Sequence, residues 1–328
     1  MSYLNGMIHQ PIVDPYGRSF RTLRVSLTNA CNLGCIYCVH PDQKSNSFPT
    51  KKTLDAQELA TLIKKIHSLT TLDTVRLTGG EPTLYKDLLP LVHMIKASGI
   101  SQIKMTSNGS LLKPLIPGLS EVGLKSINIS LDAVDEKSFQ QIALRKNISP
   151  ILEAIDEALR HGIKIKLNAV ILRSINEDQI IPLLKFAQER VIPLRFLELM
   201  RMGPLYQHKE FQRYFFSETE ILQTISEYTD YTPLLRQPSA TANYWKTSNG
   251  FTFGIIANES SPFCADCNRL RLDSFGNIFG CLSDDTAISV KEVLENENLL
   301  EEKLRQALSQ KQPLKFTGSA LSMRAIGG

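Results

Sequence analysis

Short apolar runs alternate with longer amphipathic segments from residue 23 to about residue 200. The apolar runs are rich in β-branched residues, as is typical of buried strands, and they predict strands at 23–28, 74–78, 102–106, 126–130, 163–170 and 194–199. The amphipathic segments carry apolar residues at helical spacing and predict helices at 55–69, 86–97, 111–119, 149–161 and 177–190. Thr53 is the predicted N-cap of the first helix.

This alternation predicts parallel strands joined by right-handed crossovers. We therefore expect an α/β fold in which residues 1–203 form an incomplete (β/α)6 barrel of the TIM type. Such folds carry their chemistry on the loops that follow the strands. Polar segments do follow four of the predicted strands, at 78–82, 106–109, 130–132 and 198–200.

The pattern changes near Pro204, and residues 204–328 are predicted to form a separate C-terminal region. Its first part mixes aromatic and charged residues, and a second cysteine group lies beyond it. The elements predicted in this region are a helix at 218–228, β-like pieces at 244–246 and 251–256, and a last helix at 289–308.

Composition limits the function classes. The chain has 328 residues, 42% of them apolar and 21% charged, which is ordinary for a globular protein. A net charge of +4 is too small for a protein that coats nucleic acid. No run of about 18 apolar residues and no export signal occurs, so we expect a cytoplasmic protein without a membrane partner.

The first chemical signal is a cysteine triplet, Cys31, Cys35 and Cys38, directly after the first predicted strand. Three thiolates can hold three corners of a cubane iron–sulfur cluster and leave the fourth iron open, whereas structural zinc needs four ligands. A zinc site with a remote fourth ligand and unrelated buried cysteines are the alternatives. Gly79-Gly80 suits a close contact with a charged amino group, although such a pair is more often a turn.

The second triplet is Cys264, Cys267 and Cys281, and the two triplets account for all six cysteines. Zinc here would need Asp266 or Asp273, because the last histidine of the chain lies far upstream. Two incomplete sites in one chain favour two open clusters over zinc or disulfides.

Two arginines follow this triplet. If their segment is a strand, Arg269 and Arg271 face the same side and can grip phosphate oxygens, the alternative being a solvated strand face. An arginine pair beside an open cluster predicts a substrate that has both phosphate and a metal-binding heteroatom. A nucleotide has both.

Tyr37, directly before the third cysteine, makes the first triplet resemble the C-x3-C-x-aromatic-C signature of the radical SAM superfamily. Residues 79–82 resemble its "GGEP" segment. The chain resembles more closely the MoaA family, radical SAM GTP cyclases of molybdenum cofactor biosynthesis, in the following segments: Leu-Arg-Val-Ser before the first triplet, residues 76–82, Phe-Cys-x2-Cys-Asn-Arg-Leu-Arg with its third cysteine, and the terminal Gly327-Gly328.

The resemblance implies cofactors and site residues. It implies S-adenosylmethionine and two [4Fe-4S] clusters, one on each triplet, and a terminal Gly-Gly tail inside the cavity, where physics alone predicts a frayed end. The positions matched to S-adenosylmethionine are Tyr37, Gly80, Ser130 and Met200. The positions matched to GTP are Arg24, Arg76, Thr106, Lys166, Arg269, Leu270 and Arg271. The residues given a catalytic role are Cys31, Cys35, Cys38, Arg269 and Arg271.

The implied reaction is a lyase-type cyclisation. An electron from the first cluster cleaves S-adenosylmethionine, the 5′-deoxyadenosyl radical removes the 3′ hydrogen of GTP, and the ribose carbon attacks C8 of guanine. The implied partners are GTP, an electron donor and the next enzyme of the molybdopterin pathway, with a homodimer left open. Gly34 and Val39-His40-Pro41 depart from the family pattern and are expected to change loop conformation or redox tuning.

Two other functions remain open at this point. One is a radical SAM enzyme whose auxiliary cluster serves the modification of a peptide or another nucleotide. The other is a zinc-stabilised binding protein without catalysis.

Overall fold

The computed structural model describes residues 12–39 and 53–327. It confirms the six predicted strands, which are β1 (Thr22–Ser26), β2 (Thr74–Thr78), β3 (Gln102–Ser107), β4 (Ser126–Ser130), β5 (Lys164–Val170) and β6 (Leu194–Leu197). The helices between them are α1 (Ala56–Thr70), α2 (Leu88–Ala97), α3 (Ile116–Glu121), α4 (Glu136–Ala143), α5 (Ser149–Arg160) and α6 (Ile180–Glu189).

The structure changes one predicted cap, shifts one short helix and adds one helix that was not predicted. Asp55, not Thr53, caps α1, because Asp55 Oδ1 accepts the Glu58 amide at 2.8 Å while Glu58 Oε2 accepts the Asp55 amide at 2.9 Å. The predicted helix at 111–119 is a 3₁₀ turn, Lys113–Leu115, that leads into α3. Helix α4 was missed because it is short, although Asp135 is a recognisable cap whose side chain accepts the Ser138 amide at 2.9 Å.

The C-terminal region contributes the remaining elements. They are α7 (Glu210–Tyr214), α8 (Glu218–Ser226), β7 (Tyr231–Leu234), β8 (Asn243–Thr247), β9 (Thr252–Ile256), β10 (Arg269–Leu272), β11 (Asn277–Phe279), β12 (Ile288–Ser289), α9 (Glu297–Ser309) and α10 (Met323–Ile326). The last helix was predicted at 289–308 but begins at Glu297 in the structure. Asn296 caps α9 by accepting the Leu299 amide at 3.1 Å, so residues 288–293 form β12 and a 3₁₀ turn instead.

All twelve strands belong to one sheet, in the order β12-β11-β10-β1-β2-β3-β4-β5-β6-β9-β8-β7. The strands from β10 through β1 to β6 and on to β9 are parallel, and the outer pairs are antiparallel. The C-terminal region therefore extends the predicted barrel by a parallel strand at each edge. The sheet continues across the predicted boundary at residue 203.

The chain ends against the barrel. Ile326 is 1% exposed and packs with Met202, Phe279 and Phe316. The expectation of a frayed tail is therefore wrong as far as Gly327, and Gly328 lies outside the described residues. Within the described part of the chain, no helix has the length and apolar character needed to cross a membrane.

Candidate active site

A cleft that is partly open to solvent lies at the carboxyl ends of the parallel strands. Its lining comes from the loops after β1 to β6 and from the C-terminal tail. The predicted site residues that line it are Cys31, Cys35, Tyr37, Cys38, Gly80, Thr106, Ser130 and Met200. The prediction that the polar segments after the strands lie together is confirmed by this placement.

The first cysteine loop is held by the missed helix α4. The Gly34 and Ile36 amides donate to the carbonyls of Ala143 and Ile142 at 3.0 and 3.1 Å. Those carbonyls lie in the last turn of α4, where helical carbonyls lack partners within the helix. The end of α4 therefore fixes the loop across the cleft.

The three cysteines of this loop are partly buried, and their thiols are close enough to influence one another. Burial raises the pKa of Cys38 to about 12. Burial, then the charges of Asp132, Cys38 and Cys31, raises the pKa of Cys35 well above its usual value. Ionising these three thiols without a partner is therefore unfavourable. A bound metal centre would stabilise their thiolate form.

The donor set suits a cluster. Three thiols from one loop can each bind one iron of a cubane. Across residues 12–39 and 53–327, no group of three or more His, Cys, Asp or Glu side chains is arranged to hold one metal ion.

Tyr37 is tied to the loops after β4 and β5. Its hydroxyl donates to Asp132 Oδ2 at 2.8 Å, and Asp132 Oδ1 accepts the Val170 amide at 2.8 Å. Asn176 donates to the Asp132 carbonyl at 2.8 Å. Burial raises the pKa of Asp132 to about 6, although these donors oppose the rise. This network fixes the tyrosine ring, and neither Asp132 nor Asn176 was predicted.

Gly80 lies against the backbone of the loop after β1. Its amide donates to the Thr28 carbonyl at 2.6 Å, and a Cβ at this position would lie 2.2 Å from the Ala30 carbonyl oxygen. The next residue, Glu81, is fully buried and accepts from Ser107 Oγ at 2.8 Å and from the Asn108 amide at 2.7 Å. Only glycine permits this close approach of two backbones.

Gly80→Ala is expected to lower the melting temperature by several degrees, because backbone atoms must move to admit the methyl group. Gly34→Ala is the matched control: a Cβ there would meet its nearest neighbour, Leu144 Cβ, at an ordinary 3.7 Å. Thermal unfolding of the two variants checks this. Equal melting temperatures would contradict the assigned role of Gly80.

The second triplet carries a buried lysine that the sequence did not reveal. Lys311 is 5% exposed, and its Nζ donates to the carbonyls of Arg269 and Gly280 at 2.7 and 3.0 Å and to Cys267 Sγ at 3.4 Å. Burial disfavours the Cys267 thiolate, but the charges of Arg269 and Lys311 outweigh it and lower the pKa of Cys267 to about 6. Burial raises the pKa of Cys264 to about 11.

A layer of cations crosses the barrel next to the cleft. Arg271, Arg24, Arg76 and Lys104 occupy adjacent register positions on β10, β1, β2 and β3. Arg76 and Lys104 each stand two residues before a cleft-lining threonine, Thr78 and Thr106 respectively, and so point to the same side of the sheet. Lys166 on β5 is close enough to Arg195, Arg76 and Lys104 to feel their charges, and Arg195 on β6 shares Asn128 with Arg76, so we include both. We call these six residues the cation layer.

The cation layer holds excess positive charge. Burial, then the charges of Arg271 and Arg76, lowers the pKa of Arg24 well below its usual value. Burial, then the charges of Arg195, Arg76 and Lys104, lowers the pKa of Lys166. None of the six residues takes part in a salt bridge between described residues. The layer therefore suits a polyanion.

Polar neighbours orient the guanidinium groups of Arg195 and Arg76. Arg195 Nε donates to Asn168 Oδ1 at 3.0 Å. In the orientation that satisfies both groups, Asn128 Oδ1 accepts from Arg195 at 2.8 Å and from Arg76 at 3.1 Å. Lys104 and Arg195 were missed by the sequence prediction, because a single charged residue in a strand pattern does not show which side it faces.

Residues 269–272 form β10, so the condition under which Arg269 and Arg271 face the same side is met. Leu270 is fully buried in the core on the opposite side from the arginines, so its side chain does not reach the cleft. Arg269 stacks on Phe263 at 5.1 Å, and its Nη2 is buried without a described partner. Arg271 Nη1 and Arg24 Nε both donate to the Gly327 carbonyl, the latter at 3.2 Å. The tail thus reaches the cation layer.

Comparisons with known proteins cover nearly the whole chain. The profile of the Radical SAM superfamily matches residues 25–187, and that of Molybdenum Cofactor Synthesis C matches residues 192–317. A protein of Synechocystis sp. named GTP 3′,8-cyclase is 36% identical over 97% of this chain and 95% of its own length. One from Aquifex aeolicus with the same name is 34% identical over 89% of this chain and 91% of its own length.

Solved structures give a more distant likeness. Streptococcus suis SuiB bound to S-adenosylmethionine has a TM-score of 0.61 at 17% identity, covering 90% of this chain and 67% of its own. Native anSMEcpe with bound AdoMet has a TM-score of 0.60 at 16% identity, covering 89% of this chain and 84% of its own. At such identities the likeness shows a shared fold.

Proposed function

This chain belongs to the GTP 3′,8-cyclase family of radical SAM enzymes, and on that premise we propose that it converts GTP and S-adenosylmethionine to (8S)-3′,8-cyclo-7,8-dihydroguanosine 5′-triphosphate. This reaction is the first step of molybdenum cofactor biosynthesis. The observation that carries the proposal is the cation layer beside a cleft lined by a cysteine triplet.

The first cluster and S-adenosylmethionine occupy the cleft. Cys31, Cys35 and Cys38 hold the cluster, whose chemistry when bound is the reductive cleavage of S-adenosylmethionine. The residues that hold S-adenosylmethionine itself are Tyr37, Gly80, Ser130 and Met200. Tyr37 is braced by Asp132, and Gly80 lines the cleft without a side chain of its own.

A second cluster on Cys264, Cys267 and Cys281 is part of the proposal. It rests on a second set of three thiols, in which the charges of Cys281 and Cys267 act on Cys264. Lys311 supports it, since its ammonium favours the Cys267 thiolate and ties together the segments at 267–269, 280 and 311. Cys264, Cys267 and Cys281 would hold this cluster, which would supply a binding site for the guanine base.

The cation layer and Arg269 hold the triphosphate. Arg24, Arg76, Lys166 and Arg271 were assigned from the sequence, and Lys104 and Arg195 join them by position. Thr106 has a buried hydroxyl without a described partner, as expected of a group that waits for a ligand. The protein thereby orients the ribose and keeps water from the reacting carbon.

The test is incubation of anaerobically reconstituted protein with S-adenosylmethionine, a reductant and GTP deuterated at the ribose 3′ carbon. The expected products are a nucleotide isomeric with GTP and 5′-deoxyadenosine that carries the deuterium, both identified by chromatography and mass spectrometry. Cleavage of S-adenosylmethionine without deuterium transfer would overturn the proposal and favour a radical SAM enzyme with another substrate.

The remaining partners follow from the reaction. Each turnover needs one electron at the first cluster to cleave S-adenosylmethionine. A second electron, with a proton, is needed to quench the radical that remains on the nucleotide after the C3′–C8 bond forms, so we propose a protein electron donor in the cytoplasm. The product is the substrate of the next enzyme of the molybdopterin pathway. A homodimer stays a prediction.

A further inference from the structure

Arg324 is carried into the cleft by the short helix α10. Its Nε donates to the Asn29 carbonyl at 3.2 Å, and its own carbonyl accepts from Ser26 Oγ at 3.2 Å. Two residues further on, Ile326 anchors the tail in the core. The backbone of Arg324 is therefore fixed by its neighbours, its guanidinium is tethered through Nε, and the residue is half-buried.

Arg324 is the only lysine or arginine among the described residues that line the cleft. The two acidic residues of that lining are otherwise engaged. Asp132 accepts from Tyr37 and Val170, and Glu198 accepts from the amides of Glu218, Glu259 and Ser260. Within residues 12–39 and 53–327, Arg324 forms no ion pair, and its terminal nitrogens donate no hydrogen bond. The cleft thus offers one uncommitted cation.

That cation lies beside Gly80. A Cβ on Gly80 would stand 2.8 Å from the Asn29 carbonyl oxygen, the same oxygen that accepts from Arg324 Nε. The guanidinium also lies near the first triplet, since its charge acts on Cys31 and Cys38 and opposes the rise in pKa that burial causes at both thiols. One small volume therefore contains the glycine turn, the cysteines and the guanidinium.

We propose that Arg324 binds the α-carboxylate of S-adenosylmethionine. The amino and carboxylate groups of this molecule share one carbon atom, so the partner of the carboxylate must lie beside the glycines that face the amino group. A guanidinium matches a carboxylate in charge and in fork geometry. Since the carboxylate would enter a largely apolar cleft, it needs such a partner to offset its desolvation.

The inference rests on use of S-adenosylmethionine by this chain and not on GTP as the substrate. Its test compares S-adenosylmethionine with the decarboxylated analogue, which carries a propylamine chain instead. Dissociation constants are measured by anaerobic titration calorimetry on reconstituted protein, for wild type and Arg324→Gln. This binding measurement needs no turnover. It therefore tests the role of Arg324 even if the chain does not convert GTP.

Arg324→Gln is expected to weaken S-adenosylmethionine by about 10- to 100-fold, as for loss of a hydrogen bond between charged groups, and to change the affinity for the decarboxylated analogue by less than about twofold. Arg324→Lys should lie between wild type and Arg324→Gln, because it keeps the charge and loses the fork. Arg305→Gln is the control, since Arg305 is an exposed arginine on α9 paired with Glu301.

Two results would overturn the proposal. One is an unchanged affinity for S-adenosylmethionine in Arg324→Gln. The other is an equal loss for both ligands, which would mean that Arg324 only supports the docking of the tail. The iron content and melting temperature of each variant show whether the site is intact, and Arg324→Lys decides the matter if Arg324→Gln loses the cluster.

Discussion

Replacing Cys38 with serine is expected to reduce cleavage of S-adenosylmethionine by more than about 100-fold. Loss of a residue that only supports a metal ligand costs up to about 100-fold, and loss of a ligand should cost more. Cys38 is partly buried, and its amide donates to the Cys35 carbonyl at 2.8 Å, so the turn between these ligands is already formed. A serine hydroxyl fits the space but is a poor iron ligand. The protein would lose the first cluster and with it the source of the electron.

The measurement is formation of 5′-deoxyadenosine under anaerobic reducing conditions, together with iron content. Wild type should hold about eight irons per chain and Cys38→Ser about four. Cys267→Ser is the matched control: it removes a ligand of the second triplet and should keep cleavage of S-adenosylmethionine while losing conversion of GTP. Cleavage by Cys38→Ser at the wild-type rate would show that the first triplet does not carry the chemistry.

Replacing Arg269 with alanine is expected to weaken GTP binding by about 10- to 100-fold and to preserve uncoupled cleavage of S-adenosylmethionine. Arg269 Nη1 donates to the Ser239 carbonyl at 3.0 Å, while Nη2 is buried without a described partner. A buried donor of this kind is costly unless a ligand completes it. The first cysteine triplet belongs to another part of the barrel and should keep its cluster.

Equilibrium binding of GTP to the reconstituted protein provides the measurement, and Arg305→Ala on the surface of α9 is the control. Arg269 also lowers the pKa of Cys267, so the iron content of Arg269→Ala must be determined in parallel. If the second cluster is intact and the affinity for GTP is unchanged, Arg269 does not grip the phosphates.

The sequence predicted the strands well because their signal is local. A buried strand shows as a short apolar run, and a cysteine triplet within one loop needs no distant partner to be recognised. It also predicted that the polar segments after the strands would meet, since the carboxyl ends of parallel strands lie at one edge. The missed helix α4 also has a local signal, the N-cap Asp135. The helix is too short, however, for a helical repeat of apolar residues to stand out in the sequence.

Most of what holds the site together was not local. Lys311 lies 44 residues from Cys267, and Gly327 lies 303 residues from Arg24. No spacing rule links positions so far apart. Lys104 and Arg195 each read as a single charge in an apolar run, and only their register against Arg76 and Asn168 shows that they face inward.

By itself, the sequence determined the fold class, the two sets of thiols and the loops that carry them, because periodicity and short spacings are properties of neighbouring residues. Only the tertiary structure decided that the C-terminal region extends the sheet at both edges, that the tail reaches the cation layer, and that Arg324 stands beside Gly80. Those features depend on strand register and on packing between segments at opposite ends of the chain, and these are fixed when the whole core closes.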